Sequence, residues 1–174
     1  MKIMKHRTFN SVMTYVHSRW AAEVLGMTKN SGRGADLIDD EKQVELKFKL
    51  TNEDYSHKSW RVLEYQMNYG NNGKPTFWGL GFYTLDKPIR NIGTRHSRLL
   101  ESHVTSRELY IVEWDWMKQF QSYVQQGKTE TSTWKNELRF PKFRLIPPTI
   151  KSFEVNKGLV HITKGVPEIS FAQN

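Results

Sequence analysis

Residues 34–48, GADLIDDEKQVELKF, place a short polar turn between two β-type segments. The turn, residues 39–42, separates a short strand over residues 35–38 from a longer strand over residues 44–50, which predicts a β-hairpin. Because side chains alternate along a strand, Glu45 and Lys47 point to the same face of the second strand. The apolar residues beside them point to the opposite face, which a core would cover: Val44, Leu46 and Phe48.

The hairpin also has the residue types of a metal-dependent phosphodiesterase. Asp36 lies on the first strand, so the hairpin brings its carboxylate towards that of Glu45. Neighbouring carboxylates repel each other, but together they bind a hard cation such as Mg²⁺, and the backbone carbonyl of Leu46 is a candidate further ligand. The ion would lower the pKa of a bound water, and Lys47 would orient that water. The alternative interpretation is an ordinary charge pair on an exposed strand.

The remaining pattern predicts a mixed α/β domain. A first helix is expected over about residues 11–25, with Val12, Val16, Trp20 and Glu23 on one face and Gly26 as its stop. The later elements are expected in this order: a helix over about 60–69 after a Ser59 cap, a covered central strand over 75–85, a strand over 108–114, a helix from Asp115 to about 126 before Gly127, and strands within 139–146 and 153–162.

Length and composition suit one domain spanning residues 1–174, with a catalytic core over about 10–127 and a β-rich extension over about 128–174. Lysine and arginine total 26 against 18 aspartates and glutamates, a formal net charge of +8. This excess favours a polyanionic partner such as DNA, with a basic surface kept for solubility as the alternative.

Several classes of protein and site are excluded or set aside. The sequence contains no cysteine, so disulfides, thiolate zinc sites and thiol nucleophiles are excluded. No apolar run reaches the length of a membrane span, and the N-terminus lacks the apolar stretch of a signal peptide, so we expect a cytoplasmic protein with no membrane partner. The histidines show no metal-ligand spacing, and no Ser/His/Asp arrangement is evident.

Asp36 with Glu45-Leu46-Lys47 resembles the motif of the PD-(D/E)xK nuclease superfamily. The core of that family is a helix, three antiparallel strands, a helix and a strand, and this resemblance implies a restriction-endonuclease-like fold. The family's proline is missing, since Ala35 precedes Asp36. Two accessory positions match as well: Glu23 corresponds to a glutamate on the first helix, and Gln66 to a glutamine on the helix after E-x-K. For both, an ordinary surface side chain is the alternative.

Residues 34–83 look most like type II restriction endonucleases of the PvuII kind. This resemblance implies a homodimeric DNA endonuclease that uses Mg²⁺, with Mn²⁺ as a substitute, and it implies that His57 and Lys58 enter a DNA groove. Phosphate contacts are expected from a basic stretch containing Arg90, Arg95, His96 and Arg98. The alternatives are a Holliday-junction resolvase, a homing or repair endonuclease and, in another class, a non-catalytic nucleic-acid-binding protein.

Overall fold

A computed structural model describes residues 8–51, 73–115, 149–155 and 157–163, together with the backbone of residues 59–63, 124–128 and 134–139. The helices are α1 (Phe9–Leu25) and α2 (Ser97–Ser102), with a 3-10 turn at Ile89–Asn91 before α2. The strands are β1 (Thr28–Lys29), β2 (Leu37–Ile38), β3 (Gln43–Leu50), β4 (Ser59–Leu63), β5 (Thr76–Leu85), β6 (Val104–Glu113), β7 (Val124–Lys128), β8 (Trp134–Arg139), β9 (Thr149–Val155) and β10 (Gly158–Thr163).

Helix α1 has a capping residue at each end. The Thr8 hydroxyl accepts the Ser11 amide hydrogen at an N···O distance of 3.2 Å, which satisfies one of the amides that the first turn leaves free. Gly26 closes the other end in the left-handed conformation, with φ 64°, which glycine adopts at little cost. The predicted first helix and its glycine stop are therefore confirmed.

The buried stripe of α1 does not include Glu23. In the last turns of the helix the buried positions are Trp20, Ala21, Val24 and Leu25, whereas Glu23 is exposed. Positions i, i+1, i+4 and i+5 share one side of a helix with 3.6 residues per turn, and Glu23 falls outside that set. The prediction that Glu23 lies on the core-facing stripe is wrong.

Seven strands form one mixed sheet in the order β1-β2-β3-β5-β6-β10-β9. β3 pairs with β5 in parallel, and β6 pairs with β10 in parallel, while the other neighbours are antiparallel. A second sheet of three strands has the order β4-β8-β7. This architecture confirms the predicted mixed α/β fold class.

The predicted central strand corresponds to β5, which lies between β3 and β6 and is buried along nearly its whole length. Two glycines of β5 let the core side chains of β3 cross over it. A Cβ at Gly79 would lie 2.6 Å from Leu46 Cδ2, and a Cβ at Gly81 would lie 2.3 Å from Phe48 Cε1. Because real Cβ atoms do not approach other atoms so closely, packing requires both glycines.

The core between α1 and the sheet has two parts along the helix axis. Trp20 and Leu25, near the end of α1, pack in one cluster with Val44, at the start of β3. Phe9, at the beginning of α1, packs in the other cluster with Leu50, at the end of β3. Helix α1 therefore runs antiparallel to β3, and its C-terminal half lies over the β2–β3 hairpin.

Two predicted helices are wrong where the structure describes them. Residues 59–63 form β4, and residues 124–126 belong to β7, with Gly127 inside that strand. Both strands pair with β8. Ladder pairing overrides a local helical pattern, whether the partner strand is distant in sequence, as for β4, or close, as for β7. The chain is helical at Trp114 and Asp115, and residues 64–69 of the first predicted helix lie outside the described residues.

Candidate active site

The β2–β3 hairpin places Asp36 beside Glu45. Leu37 pairs with Val44 in the antiparallel ladder, so the same register sets Asp36 opposite Glu45, one position beyond the end of β2. The Asp36 side chain turns towards β3, because its Oδ2 accepts the Leu46 amide hydrogen at an N···O distance of 2.8 Å. Asp36 and Glu45 thus lie opposite each other where β2 ends, and the Asp36 carboxylate faces the edge of β3 that β2 no longer covers.

Glu45 and Lys47 form a close ion pair on one face of β3. Lys47 Nζ donates to Glu45 Oε1 at 2.7 Å, and Glu45 is only 2% exposed. Part of this burial comes from the neighbouring strand, since Trp78 and Leu80 of β5 pair with these positions and are themselves buried. An ordinary surface charge pair would leave the carboxylate in water, so this burial argues against that alternative.

The surroundings of Asp36 raise the pKa of its carboxyl group. Burial raises the pKa of the Asp36 carboxyl above its usual value, because a charged carboxylate is disfavoured away from water. The Leu46 amide and the charges of Lys47 and Lys29 act in the opposite direction and offset only part of this rise. Lys29 was not singled out in the sequence, and β1 brings it close because Lys29 pairs with Leu37.

Side-chain hydrogen bonds within the two flanking turns hold the hairpin in shape. The Asn30 side chain donates from Nδ2 to the Ala35 carbonyl at 3.0 Å, and its Oδ1 accepts the Gly32 backbone amide hydrogen at 3.0 Å. These bonds order the glycine-rich turn before Asp36. In the turn before β3, one Asp39 carboxylate oxygen accepts the Lys42 amide hydrogen at 2.7 Å. Such bonds are typical of turn-forming Asn and Asp, and they give Asp39 a structural role.

The donor set fits a hard divalent cation that keeps several waters. Within the described residues there is no group of three or more histidine, aspartate or glutamate side chains arranged to hold a metal. Mg²⁺ needs fewer, since it is commonly held by one or two carboxylates with waters completing its shell. In an antiparallel ladder the N–H and C=O of a residue point to the same side, so the Leu46 carbonyl faces the same edge as its amide. Asp36, Glu45 and that carbonyl are the residues that would hold the ion.

The basic stretch expected to contact phosphate lies at the other end of the sheet. Ile92 and Leu100, within that stretch, pack with Leu50 at the end of β3. Leu50 follows Glu45 by five residues, about 16 Å along a strand. The structure therefore leaves this stretch away from the Asp36–Glu45 pair, with all its predicted phosphate-binding residues exposed: Arg90, Arg95, His96 and Arg98.

Three predicted site residues lie outside the part of the chain that the structure describes: Gln66, His57 and Lys58. Glu23 stays on the exposed side of α1. Within the described residues, the site consists of Asp36, Glu45 and Lys47.

The sequence analysis did not predict a chain of side-chain hydrogen bonds that joins β6, β10 and β9. His161 Nδ1 lies 2.8 Å from the Ser152 hydroxyl, and His161 Nε2 lies 2.9 Å from Glu108 Oε1. The Tyr110 hydroxyl donates to the same Glu108 oxygen at 2.8 Å. Because a neutral imidazole has one donor and one acceptor nitrogen, His161 can link the Ser152 hydroxyl to the Glu108 carboxyl group. No sequence spacing indicates this chain, because the parallel pairing of β6 with β10 creates it.

Comparison with known proteins finds no matching family model, no matching curated protein and no matching solved structure. Within the described residues, no helix is long and apolar enough to cross a membrane.

Proposed function

We propose that this protein is a Mg²⁺-dependent endonuclease that hydrolyses phosphodiester bonds in DNA at Asp36, Glu45 and Lys47. The observation that carries this proposal is the burial of Glu45, which is 2% exposed, pairs with Lys47 at 2.7 Å and lies opposite Asp36 in the hairpin register. Burying charged groups costs free energy, so such groups are often found at functional sites. A site that binds a cation and a phosphate would account for a buried carboxylate and ammonium here.

The residues divide the chemistry between them. Mg²⁺ held by the two carboxylates supplies Lewis acidity towards a phosphoryl oxygen and lowers the pKa of a bound water. The Lys47 ammonium is positioned by Glu45 and stabilises negative charge that develops on the phosphate. Because burial raises the pKa of Asp36, a proton competes with the cation for this carboxylate, and cation binding strengthens as the pH rises.

The resemblance to PD-(D/E)xK nucleases adds support from the order of elements. Helix α1 is followed by three antiparallel strands, β1, β2 and β3, and the next strand of the same sheet is β5. The family's second helix has no counterpart at residues 59–63, where β4 lies instead. The net charge of +8 fits a nucleic-acid substrate.

Within this class we favour double-strand cleavage of the restriction type by a cytoplasmic homodimer. One active site cuts one strand, so cutting both strands calls for two copies, and a two-fold symmetric dimer matches a symmetric DNA site. A Holliday-junction resolvase needs the same residues and the same dimer. The DNA substrate that is cut therefore distinguishes the two functions.

Cleavage assays test the proposal. Purified protein is incubated with plasmid and with a synthetic four-way junction, in Mg²⁺, Mn²⁺ or EDTA. We expect cutting with either metal and none in EDTA, and we expect Glu45→Gln and Lys47→Met to abolish it. Glu41→Gln and Lys87→Met are matched controls at exposed positions and should cut like the wild type. Circular dichroism shows whether each variant is folded.

Each outcome separates two of the functions. Fixed plasmid fragments indicate a restriction enzyme, whereas paired nicks confined to the junction indicate a resolvase. Folded Glu45→Gln and Lys47→Met proteins that cut as well as the wild type would refute the proposed site. DNA binding without cutting under any condition would leave the non-catalytic binding protein.

A further inference from the structure

One exposed aromatic side chain and two half-buried cationic side chains form a cluster near Asp36. Tyr15 and Arg19 are one helical turn apart on α1, and Lys29 comes from β1. The Lys29 ammonium lies 3.8 Å from the centre of the Tyr15 ring, and the Arg19 guanidinium carbon lies 5.9 Å from it. Tyr15 is 43% exposed, so water and ligands reach this group. We call these three residues the Tyr15 platform.

The positive charges of the Tyr15 platform are oriented but not neutralised. Among the residues that the structure describes, no carboxylate lies within ion-pair distance of Arg19 or Lys29. The Tyr15 ring attracts the ammonium through its π face and restricts its position, yet it carries no compensating charge. A cation held in this way keeps its full charge for an anionic ligand.

The β1–β2 ladder puts Lys29 of the Tyr15 platform close to Asp36. Lys29 pairs with Leu37, the residue after Asp36, and the backbone amide of Asn30 donates to the backbone carbonyl of Asp36 at 2.8 Å. Lys29 is therefore near enough to Asp36 to contact a polyanion bound there.

The basic stretch chosen from the sequence is less well placed for this role. The Arg95 guanidinium donates to the carbonyls of Ile92 and Thr94, at 3.1 and 2.9 Å, and faces the Phe9 ring at 5.5 Å. Phe9 begins α1, and Arg19 lies ten residues further along it, about 15 Å at the helical rise. Arg95 is thus engaged within the protein and remote from the hairpin.

We propose that the Tyr15 platform binds the backbone phosphates of the DNA strand next to the bond that is cut, with Arg19 and Lys29 as the phosphate ligands and Tyr15 as the positioning residue for Lys29. This inference rests on the proposed function, because it takes Asp36 as the point that the strand must reach. Phosphate contacts supply affinity and register and carry no sequence information.

Binding measured without cleavage tests the platform separately from the nuclease. Fluorescence anisotropy of a short labelled DNA duplex is recorded in EDTA over a series of salt concentrations. Each phosphate contact adds about 0.9 to the slope of log K against log salt, so Lys29→Met or Arg19→Met should lower the slope by about one and weaken binding up to about eightfold at 0.1 M salt. Tyr15→Leu should weaken binding, and Tyr15→Phe, which keeps the ring, should restore it.

Lys87→Met serves as a matched control at an exposed position. We expect it to change neither the binding constant nor the salt slope. Unchanged affinity and salt slope in both Lys29→Met and Arg19→Met would overturn the inference, even if the wild type cuts DNA. Platform-dependent binding by a protein that never cuts would uphold the platform and reject the nuclease.

Discussion

The ion pair between Glu45 and Lys47 makes a quantitative prediction about stability. Lys47→Met removes the ammonium and keeps most of the side-chain volume, so the buried Glu45 carboxylate loses the partner that now lies 2.7 Å away. Removing one member of a buried ion pair costs about 3–5 kcal/mol. Because the Lys47 side chain is 16% exposed and water can partly replace it, we expect the lower end, about 3 kcal/mol of lost unfolding free energy.

Thermal and urea unfolding in EDTA at pH 7 measure this loss. For a chain of this length, about 3 kcal/mol corresponds to a fall in Tm of about 6–12 °C. The double variant Glu45→Gln with Lys47→Met removes the buried charge as well, so it should be more stable than Lys47→Met alone. Lys87→Met is the exposed control and should unfold like the wild type.

Adding Mg²⁺ links this prediction to the proposed function. A divalent cation replaces the missing positive charge beside Glu45, so it should stabilise Lys47→Met more than the double variant, which has lost that carboxylate. If Lys47→Met unfolds within 1 °C of the wild type, or if the double variant is no more stable than the single one, the reasoning from a buried, lysine-dependent carboxylate fails.

Three further predictions follow from packing and protonation. Gly81→Ala should lower the unfolding free energy by about 1–3 kcal/mol, because its Cβ would lie 2.3 Å from the Phe48 ring; Gly93→Ala, with no atom within 4 Å, is the control in the same urea titration. Asp36→Asn should be more stable than the wild type at pH 7, because the raised pKa of Asp36 means that stability is lost as its proton leaves; this advantage should shrink as the pH falls towards 3.8, and a constant difference would contradict it. Burial and Arg107 hold the pKa of His17 well below 6.5, so the fold should lose stability as the pH falls below that value. The His17→Phe variant should lack this part of the pH dependence when unfolding is followed by fluorescence.

The elements that can be predicted from the sequence are those set by local patterns. Helix α1 has apolar residues at helical spacing, a Thr8 cap and the Gly26 stop. The β2–β3 hairpin has alternating side chains around a turn that Asp39 stabilises. The partners in both elements lie within a few residues of each other, so their pairing needs no information about the rest of the chain.

The position of Asp36 opposite Glu45 and the shared face of Glu45 and Lys47 follow from the same local hairpin, which is why the candidate site could be proposed from the sequence. The burial of Glu45 could not, because it depends on Trp78 and the rest of β5. The exposure of Glu23 was misjudged for a related reason. The width and direction of a buried stripe depend on the sheet that the helix covers.

Local patterns account for α1, for the hairpin and for the register that sets Asp36 opposite Glu45. Contacts between residues far apart in the chain make β4 a strand and place the basic stretch around Arg95 away from the hairpin. Strand ladders and helix–sheet packing create these contacts, and local propensity contains no information about such partners.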